Sequence, residues 1–444
     1  MNRIMNGSCS RELWLEHLFA RNFRMFEQIE VDFSNSVTLF VGDNGSGKSS
    51  ILEMVRIAIG TFVSKLSVNN SSSISTSDVR YEAYRYNNSA VRSERQYPTE
   101  IEAQAIYRGE AIHWHRSLNG EGRKTTWGGA SDVLRLTDLW KNRVQDGDAS
   151  LVLPFFAFYG TNRLWKPKYK SPKDKLKRMG RLAGYDGCLN AYINYESMSI
   201  WFKQQALHEF QTLERSSEFR FVKEVLVQAL QQMTDYMDIS ITYDGYQDDI
   251  CISYIDKEEL RYDKLSQMSD GFREVLVMLA DIAYRMTLLN PNLEGDVFRI
   301  TPGILLIDEV DLHLHPKWQE CIIDILTKTF PSLQVIATTH APKVVASVGN
   351  ESVRVLENGE SKSVHIQTYG KDVGSVLTAF MDARERPKAV ADIFDELYKA
   401  LEDEDINKSR KLIEHLRETI GDDDSDLAAA KTSLFLFEVE SDCD

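Results

Sequence analysis

The stretch "VGDNGSGKSS", Val41 to Ser50, constrains this chain more than any other. Gly42, Gly45 and Gly47 crowd a segment where glycine would weaken a helix or strand, because it loses more backbone freedom on ordering than any other residue. They suit a loop whose amides turn inward and approach a ligand closely. Gly42, four residues, then Gly47, Lys48 and Ser49 make the phosphate-cradling P-loop pattern. The flanks agree. Val37 to Val41, "VTLFV", has the β-branched and aromatic character of a buried strand. "SSILEMVRIAIG" then sets Ile51, Leu52, Val55, Ile57 and Ala58 at helical spacing. A strand, a glycine loop and a helix N-terminus predict an anion site, since free amides and the helix dipole both favour negative charge. Asn44, Gly45, Ser46, Gly47, Lys48, Ser49 and Ser50 are the predicted phosphate-binding residues. Lys48 is expected to reach the β- and γ-phosphates of ATP, and the Ser49 hydroxyl to hold Mg²⁺.

Hydrolysis needs more: a carboxylate for Mg²⁺ and a group that orients or deprotonates water. "GILLIDEVD", Gly303 to Asp311, offers both, because a buried apolar strand ends in two adjacent acids. Asp308 is expected to hold Mg²⁺ and Glu309 to polarise the attacking water. "QVIATTHAP" predicts a further strand ending in Thr338, Thr339 and His340, where the histidine could reach a γ-phosphate. "KLSQMSDGFREVLVMLADIAYRM", Lys264 to Met286, sets Ser269 and Gly271 just before a strongly apolar helix, a second helix N-terminus suited to an anion. "DLHLHP", with Asp311, His313 and His315, invites a metal reading, since the histidines of a strand-like run would share one face.

Composition bounds the rest. The 444 residues permit two or three domain-sized units, and 43% hydrophobic with 27% charged residues fits a globular chain. No apolar run is long enough to span a bilayer, and the first residues lack the apolar core of a signal peptide, so a cytoplasmic location is expected. The five cysteines are scattered without a C-x-x-C pair, which argues for reduced thiols and against structural zinc. At a formal net charge of −15, contact with nucleic acid would need a local basic patch or a partner. One such run exists: Arg163 to Arg181 carries nine Lys and Arg against one Asp. It is either a solvated loop or a contact to nucleic-acid phosphates or an acidic partner.

Along the chain, Leu13 to Phe33 predicts two strands, Ser64 to Asn88 a polar surface loop, and "TEIEAQAIYRG" with "EAIHWHRSLNG" a hairpin. Leu151 to Trp165 predicts a buried strand leaving into a loop, Asn190 to Met233 helices, and the segment after it strands with polar turns. Val373 to Phe437 is helical by periodicity, either a hairpin that binds another chain or a stabilising cap.

The order of the motifs (P-loop, "MSDGF", Asp308 with Glu309, then His340) resembles the ABC ATPase class. More narrowly, "MSDGFREVLVMLADIAYR", "GILLIDEVDLHLHPKWQ", "FYGTNRLW" and "YGKDVGSVL" resemble the RecF/SMC-like ATPases. Within these they are similar to a bacterial AAA subgroup that includes the PtuA ATPases of Septu antiphage systems and ATPases attached to some retrons. Asp270 departs from the transporter signature, though the subgroup carries that acid. The resemblance implies an α/β, ABC-type P-loop ATPase head from residues 1–160 and 260–370, a mixed, largely helical insertion lobe from 161–260, and a C-terminal helical segment from 371–444. It implies that Ser269 and Gly271 bind the γ-phosphate held by an opposite subunit in a homodimer or higher homo-oligomer, and that His340 is the switch histidine. It favours a structural loop at the dimer interface, not a metal site, for "DLHLHP". No toprim-like nuclease region follows, so the chain is expected to hydrolyse ATP slowly, to cut no DNA itself, and to regulate a separate HNH nuclease in antiphage defence. The alternatives are a RecF-like DNA repair ATPase and a nucleotide-bound scaffold with little turnover.

Overall fold

The segment before the glycine loop, Val37–Val41, is buried at every residue because it runs through the middle of a six-stranded sheet. In the computed structural model, which describes residues 11–66, 73–86, 90–163, 180–193, 195–212, 216–380 and 386–441, the sheet order is Glu360–Ser363, Val353–Glu357, Val37–Val41, Leu333–Thr338, Gly303–Ile307, Phe155–Tyr159. All neighbours are parallel except the first two, which form a hairpin. Parallel strands covered on both faces have no use for charge. That explains the uninterrupted apolar runs "GILLI", "VTLFV" and "FFAFY". The P-loop helix, Lys48–Val63, lies against this core, with Phe62 stacked on Trp140 and Phe156 and edge-on to Trp114.

A four-stranded antiparallel sheet follows the order Phe26–Asp32, Leu13–Phe23, Thr99–Tyr107, Glu110–Leu118. The strand pair and hairpin expected from alternation are both there. The pairing of Leu13–Phe23 with Thr99–Tyr107 slips between Leu15 and His17. The main chain of Leu15 is thereby available to the fully buried Gln334 of the parallel sheet. Leu15 N–H donates to Gln334 Oε1 at 2.8 Å, and Gln334 Nε2 donates to the carbonyls of Leu15 and Ser34, both at 2.8 Å. One side-chain amide thus joins the two sheets.

Helices Tyr195–Thr212 and Ser217–Met233 precede a three-stranded sheet in the order Glu259–Lys264, Asp249–Asp256, Met237–Asp244. The chain then enters the helix Asp270–Leu289, buried along most of its length. Its interior carries a charged network: Asp281 accepts from Tyr159 Oη and Arg285 Nε, each at 2.8 Å, and Arg285 Nη1 donates to the carbonyls of Gly184 and Asp186. Burial pushes Tyr159 well above the usual phenol range, so it stays a donor.

One expectation is corrected by the structure. The polar stretch from Ser64 to Asn88 is not all loop. A 3₁₀ turn, Thr76–Asp78, is closed by a reciprocal cap between Ser75 and Asp78, and Tyr81–Tyr86 pairs with Ala90–Arg95. Buried Asp78 also meets Arg24 at 2.9 Å. Within Leu151 to Trp165 the expected buried strand is Phe155–Tyr159, which follows Pro154, a residue with no amide for the ladder, and leaves into a turn over 161–163; Leu164 and Trp165 lie outside the described residues.

Residues 1–371 form one compact unit and residues 372–444 a second. The second contains helices Val373–Phe380, Lys388–Glu402, Ile406–Ile420 and Ser425–Ser441. Phe394, Leu397, Leu401, Ile413, Leu416, Leu427 and Leu434 make its core, and Arg386 pins Asp424 at 2.7 Å and Asp426 at 2.6 Å. Among the described residues no helix is long and apolar enough to cross a membrane.

Candidate functional site

Three adjacent parallel strands, Val37–Val41, Leu333–Thr338 and Gly303–Ile307, end side by side, and ligands of such sheets bind at their carboxyl ends. The glycine loop leaves the first strand. Gly47 has φ 99°, and a Cβ there would stand 2.3 Å from the Phe26 ring, so no larger residue fits. The helix starts at Lys48, and its first amides have no carbonyl partner within the helix. Lys48 is buried, and its Nζ donates to the carbonyls of Gly42 at 2.7 Å and Asp43 at 2.8 Å. Burial lowers its pKa, against the opposing pull of Asp308, Asp43, Glu309 and Asp311. Asn44, Gly45 and Ser49 are exposed and Ser50 is half-buried. Ser46 Oγ is buried with no hydrogen-bond partner and lies close to Gly42, where an added Cβ would come within 2.9 Å of it.

The carboxylates leave the third strand. Asp308 N–H donates to the Tyr159 carbonyl at 2.8 Å, extending the ladder by one residue and keeping Asp308 buried. Its Oδ1 accepts from Ser49 Oγ at 3.2 Å and from Thr338 Oγ1 at 2.7 Å. The Thr338 hydroxyl in turn accepts from Glu309 N–H at 2.7 Å. One hydroxyl therefore ties both acids to the middle strand, and Asp308 to the P-loop serine. Glu309 sits at φ 48°, a left-handed conformation that costs a non-glycine residue of order 1 kcal/mol or more. His340 is half-buried just beyond this strand; its N–H donates to Asp311 Oδ1 at 3.3 Å, and Thr339 Oγ1 bonds the same oxygen.

Ser269 is exposed at the start of the helix Asp270–Leu289 and caps no amide with its side chain. Gly271 is buried. A Cβ there would lie 2.0 Å from the His313 carbonyl oxygen, so the helix start packs against the backbone of the "DLHLHP" segment. Among the described residues no hydrogen bond joins Ser269 or Gly271 to the P-loop of the same chain.

"DLHLHP" is not strand-like. Val310 to His313 forms turns, with His313 at φ 59°, and His315 caps the short helix that follows, so the two histidines do not share a strand face. His313 Nδ1 meets Glu274 Oε1 at 3.1 Å, whereas His315 Nδ1 accepts from Lys317 N–H at 3.2 Å. Among the described residues no group of three or more His, Cys, Asp or Glu could hold a metal ion.

The basic run is only partly described: Lys166, Lys168, Lys170 and Lys173 lie outside the described residues. Its two ends are, and both are engaged inside the protein. Arg181 donates to the carbonyls of Leu289 at 2.7 Å and Asp148 at 3.0 Å and also bonds Leu151 O. Arg163 is 2% exposed; its Nη1 donates to Asp308 O at 3.0 Å and its Nη2 to Glu309 O at 3.1 Å. Arg163 is therefore an internal charge and not part of the solvated or phosphate-contacting run expected from the sequence. Its place directly after the buried strand Phe155–Tyr159 was the one signal available.

A glycine loop opening a helix, a carboxylate pair on a neighbouring strand and a further glycine-bearing helix start define a P-loop ATPase head of the ABC type. The AAA domain family model matches residues 17–234. Over 434 residues the chain is 22% identical to the Retron Vc95 probable ATPase of Vibrio cholerae serotype O1 biovar El Tor, covering 87% of this chain and 82% of that one. It is 31% identical over 156 residues to the Septu protein PtuA of Bacillus mycoides (strain KBAB4), covering 34% of this chain and 21% of that one. A solved SMC head bound to the C-winged helix domain of ScpA aligns with 80% of this chain and 98% of its own at 17% identity and a TM-score of 0.47. The chain is an ATPase with an AAA-type domain, related to the retron ATPase and to the Septu protein PtuA.

Proposed function

We propose that this chain is the ATP-binding and ATP-hydrolysing subunit of an antiphage defence complex, and that it senses infection and controls a separate HNH nuclease. The observation that carries the enzymatic part is the chain of hydrogen bonds Ser49–Asp308–Thr338–Glu309 across three strand ends. It gathers the groups that phosphoryl transfer to water requires. Lys48 and the P-loop amides neutralise phosphate charge. Ser49 and Asp308, both hard oxygen donors, would hold Mg²⁺, which when bound supplies charge neutralisation on the phosphates. Ser46 Oγ, buried and unsatisfied, fits the same ligand. Glu309 polarises the attacking water and His340 faces the γ-phosphate.

The defence reading is supported by the retron and Septu names of its relatives. Ser269 supports the dimer: it is exposed at a helix start and bonds nothing on its own P-loop. In a head-to-head homodimer Ser269 and Gly271 of each subunit would cap the nucleotide of the other, two equivalent sites at one isologous interface.

The test is to express the chain with and without any HNH nuclease gene found in its genomic neighbourhood and challenge the cells with phage. In parallel, ATP binding and turnover are measured for the wild type, Lys48→Ala and Glu309→Gln. Lys48→Ala should lose ATP, Glu309→Gln should hold ATP without hydrolysing it, and both should lose regulated protection. Unchanged ATP affinity in Lys48→Ala would sink the phosphate assignment. Protection that survives deletion of the nuclease gene would remove the proposed partner.

A further inference from the structure

Arg163 and Glu274 form an ion pair at 3.3 Å in which both side chains are only 3% exposed. Stripping water from two charges is costly, and many buried pairs could be replaced by apolar residues without loss. What distinguishes this pair is what else each partner holds. Arg163 grips the carbonyls of Asp308 and Glu309, the two residues read here as Mg²⁺ ligand and water-polarising base. Glu274 lies one turn inside the helix Asp270–Leu289, three residues after Gly271, and its second oxygen meets His313 Nδ1 at 3.1 Å. The carbonyl of that same His313 packs against Gly271. The carboxylate turn, the "DLHLHP" segment and the signature helix therefore meet at one buried carboxylate and one buried guanidinium.

From this geometry we infer that Arg163 is a positioning residue, which holds Glu309 for hydrolysis and, through Glu274, makes that position depend on where the signature helix sits. Glu309 is held in a left-handed turn that persists only where its surroundings over-determine it. The restraints are Thr338 Oγ1 on its amide and Arg163 Nη2 and Leu312 N–H on its carbonyl. Leu312 belongs to the same turn, so Thr338 and Arg163 are the two that reach it from elsewhere. Arg163 alone of these connects onward to the helix that carries Ser269. A shift of that helix on meeting a partner's nucleotide would move Glu274, and with it the guanidinium and the base. Lysine cannot substitute, because a single ammonium lacks the planar fork that serves two carbonyls and a carboxylate together.

The inference rests on the ATPase reading of Asp308 and Glu309, and its test keeps the two apart. Arg163→Lys, Arg163→Met, Glu274→Met and the double variant Arg163→Met/Glu274→Met are compared with Glu309→Gln for ATP affinity, thermal stability and single-turnover hydrolysis. The double variant replaces a buried pair by apolar groups and should fold as stably as the wild type even if one single variant does not. ATP affinity should stay within about twofold, because no removed atom faces the P-loop, while hydrolysis falls roughly 100-fold, the scale of an ångström-sized misplacement of a catalytic group. Arg163→Lys, which keeps the charge, should share that loss. In the hydrolysis cycle Glu274→Met should add nothing once Arg163 is gone. Wild-type hydrolysis by the stable double variant would overturn the inference and leave the pair a packing element. Independent, additive losses would overturn the coupling. Wild-type hydrolysis by Glu309→Gln would instead overturn the underlying site.

Discussion

Thr338→Val changes one hydroxyl for a methyl at the point where both carboxylate residues are tied to the middle strand. Thr338 is fully buried, and its Oγ1 both donates to Asp308 and accepts from Glu309 N–H, each at 2.7 Å. Valine keeps the shape and removes both bonds. A bond to a carboxylate contributes about 1.5–3 kcal/mol, and an amide left buried without an acceptor costs about 1–3 kcal/mol. The two losses share one atom and are not additive, so about 3 kcal/mol is expected. Thr338→Ser is the matched control: it keeps the hydroxyl and removes one buried methyl, about 0.8 kcal/mol. The assay is urea unfolding without nucleotide, followed by tryptophan fluorescence. All seven tryptophans lie in the unit that contains the site, residues 1–371, so the signal reports that unit and not the C-terminal helices. Valine should fall about 2 kcal/mol below serine and lose hydrolysis along with stability, because Glu309 is freed. Equal midpoints and slopes for the two variants would refute the shared-hydroxyl arrangement.

The charge and assembly of the site set three further outcomes. Burial holds the Lys48 pKa below its ordinary value and phosphate would raise it, so ATP binding takes up a proton at alkaline pH. Affinity should be flat near neutrality and fall as pH rises through the lowered value, earlier than for an ordinary lysine; calorimetry in buffers of different ionisation enthalpy reads the uptake. Ser269→Arg should bind ATP but not hydrolyse it, and mixing it with Lys48→Ala protein should restore some turnover, since one site of the mixed dimer is free of both lesions. Confirmed mixed dimers without rescue would count against a shared site. If the basic run meets DNA, neutralising Lys166, Lys168, Lys170 and Lys173 should flatten the dependence of log K on log salt by about 0.9 for each phosphate no longer neutralised.

The residues of the candidate site that the structure brings together, Lys48, Ser49, Asp308 and Glu309, could be picked out because a P-loop's chemistry is written in spacing. A P-loop must place glycines, lysine and serine within eight positions of one another, and a strand that ends in Asp308 and Glu309 must be apolar up to that point. The buried strands were legible for the same reason, since strands covered on both faces leave uninterrupted apolar runs, although their parallel pairing was not. Partnership over long sequence distance was not. Thr338 is thirty residues from Asp308, and nothing in "QVIATTHAP" says which of its two threonines turns toward the acids. The histidines of "DLHLHP" alternate like a strand, yet the left-handed turn at His313 breaks that alternation.

Arg163 shows why a charge can be placed on the wrong side of the surface. In the sequence it opens a run of nine basic residues, and the average behaviour of such a run is solvation. Burial of one member depends on whether enough acceptors wait at its own position, and here they do: two main-chain carbonyls left over where a strand ends, and a carboxylate on a helix more than a hundred residues away. Both carbonyls lack a strand partner for a defined reason, although Leu312 N–H within the turn also reaches that of Glu309. The Asp308 amide makes one more bond to the neighbouring strand, and the chain then turns left-handed at Glu309, so the backbone oxygens of both residues lack strand partners just where two acids project forward. A buried carbonyl without a donor costs free energy, and a guanidinium supplies several donors from a single side chain. The turn that presents the carboxylates thus creates the acceptors that bury Arg163; that burial lowers its pKa, and Glu274 is the largest of the charges that pull the other way.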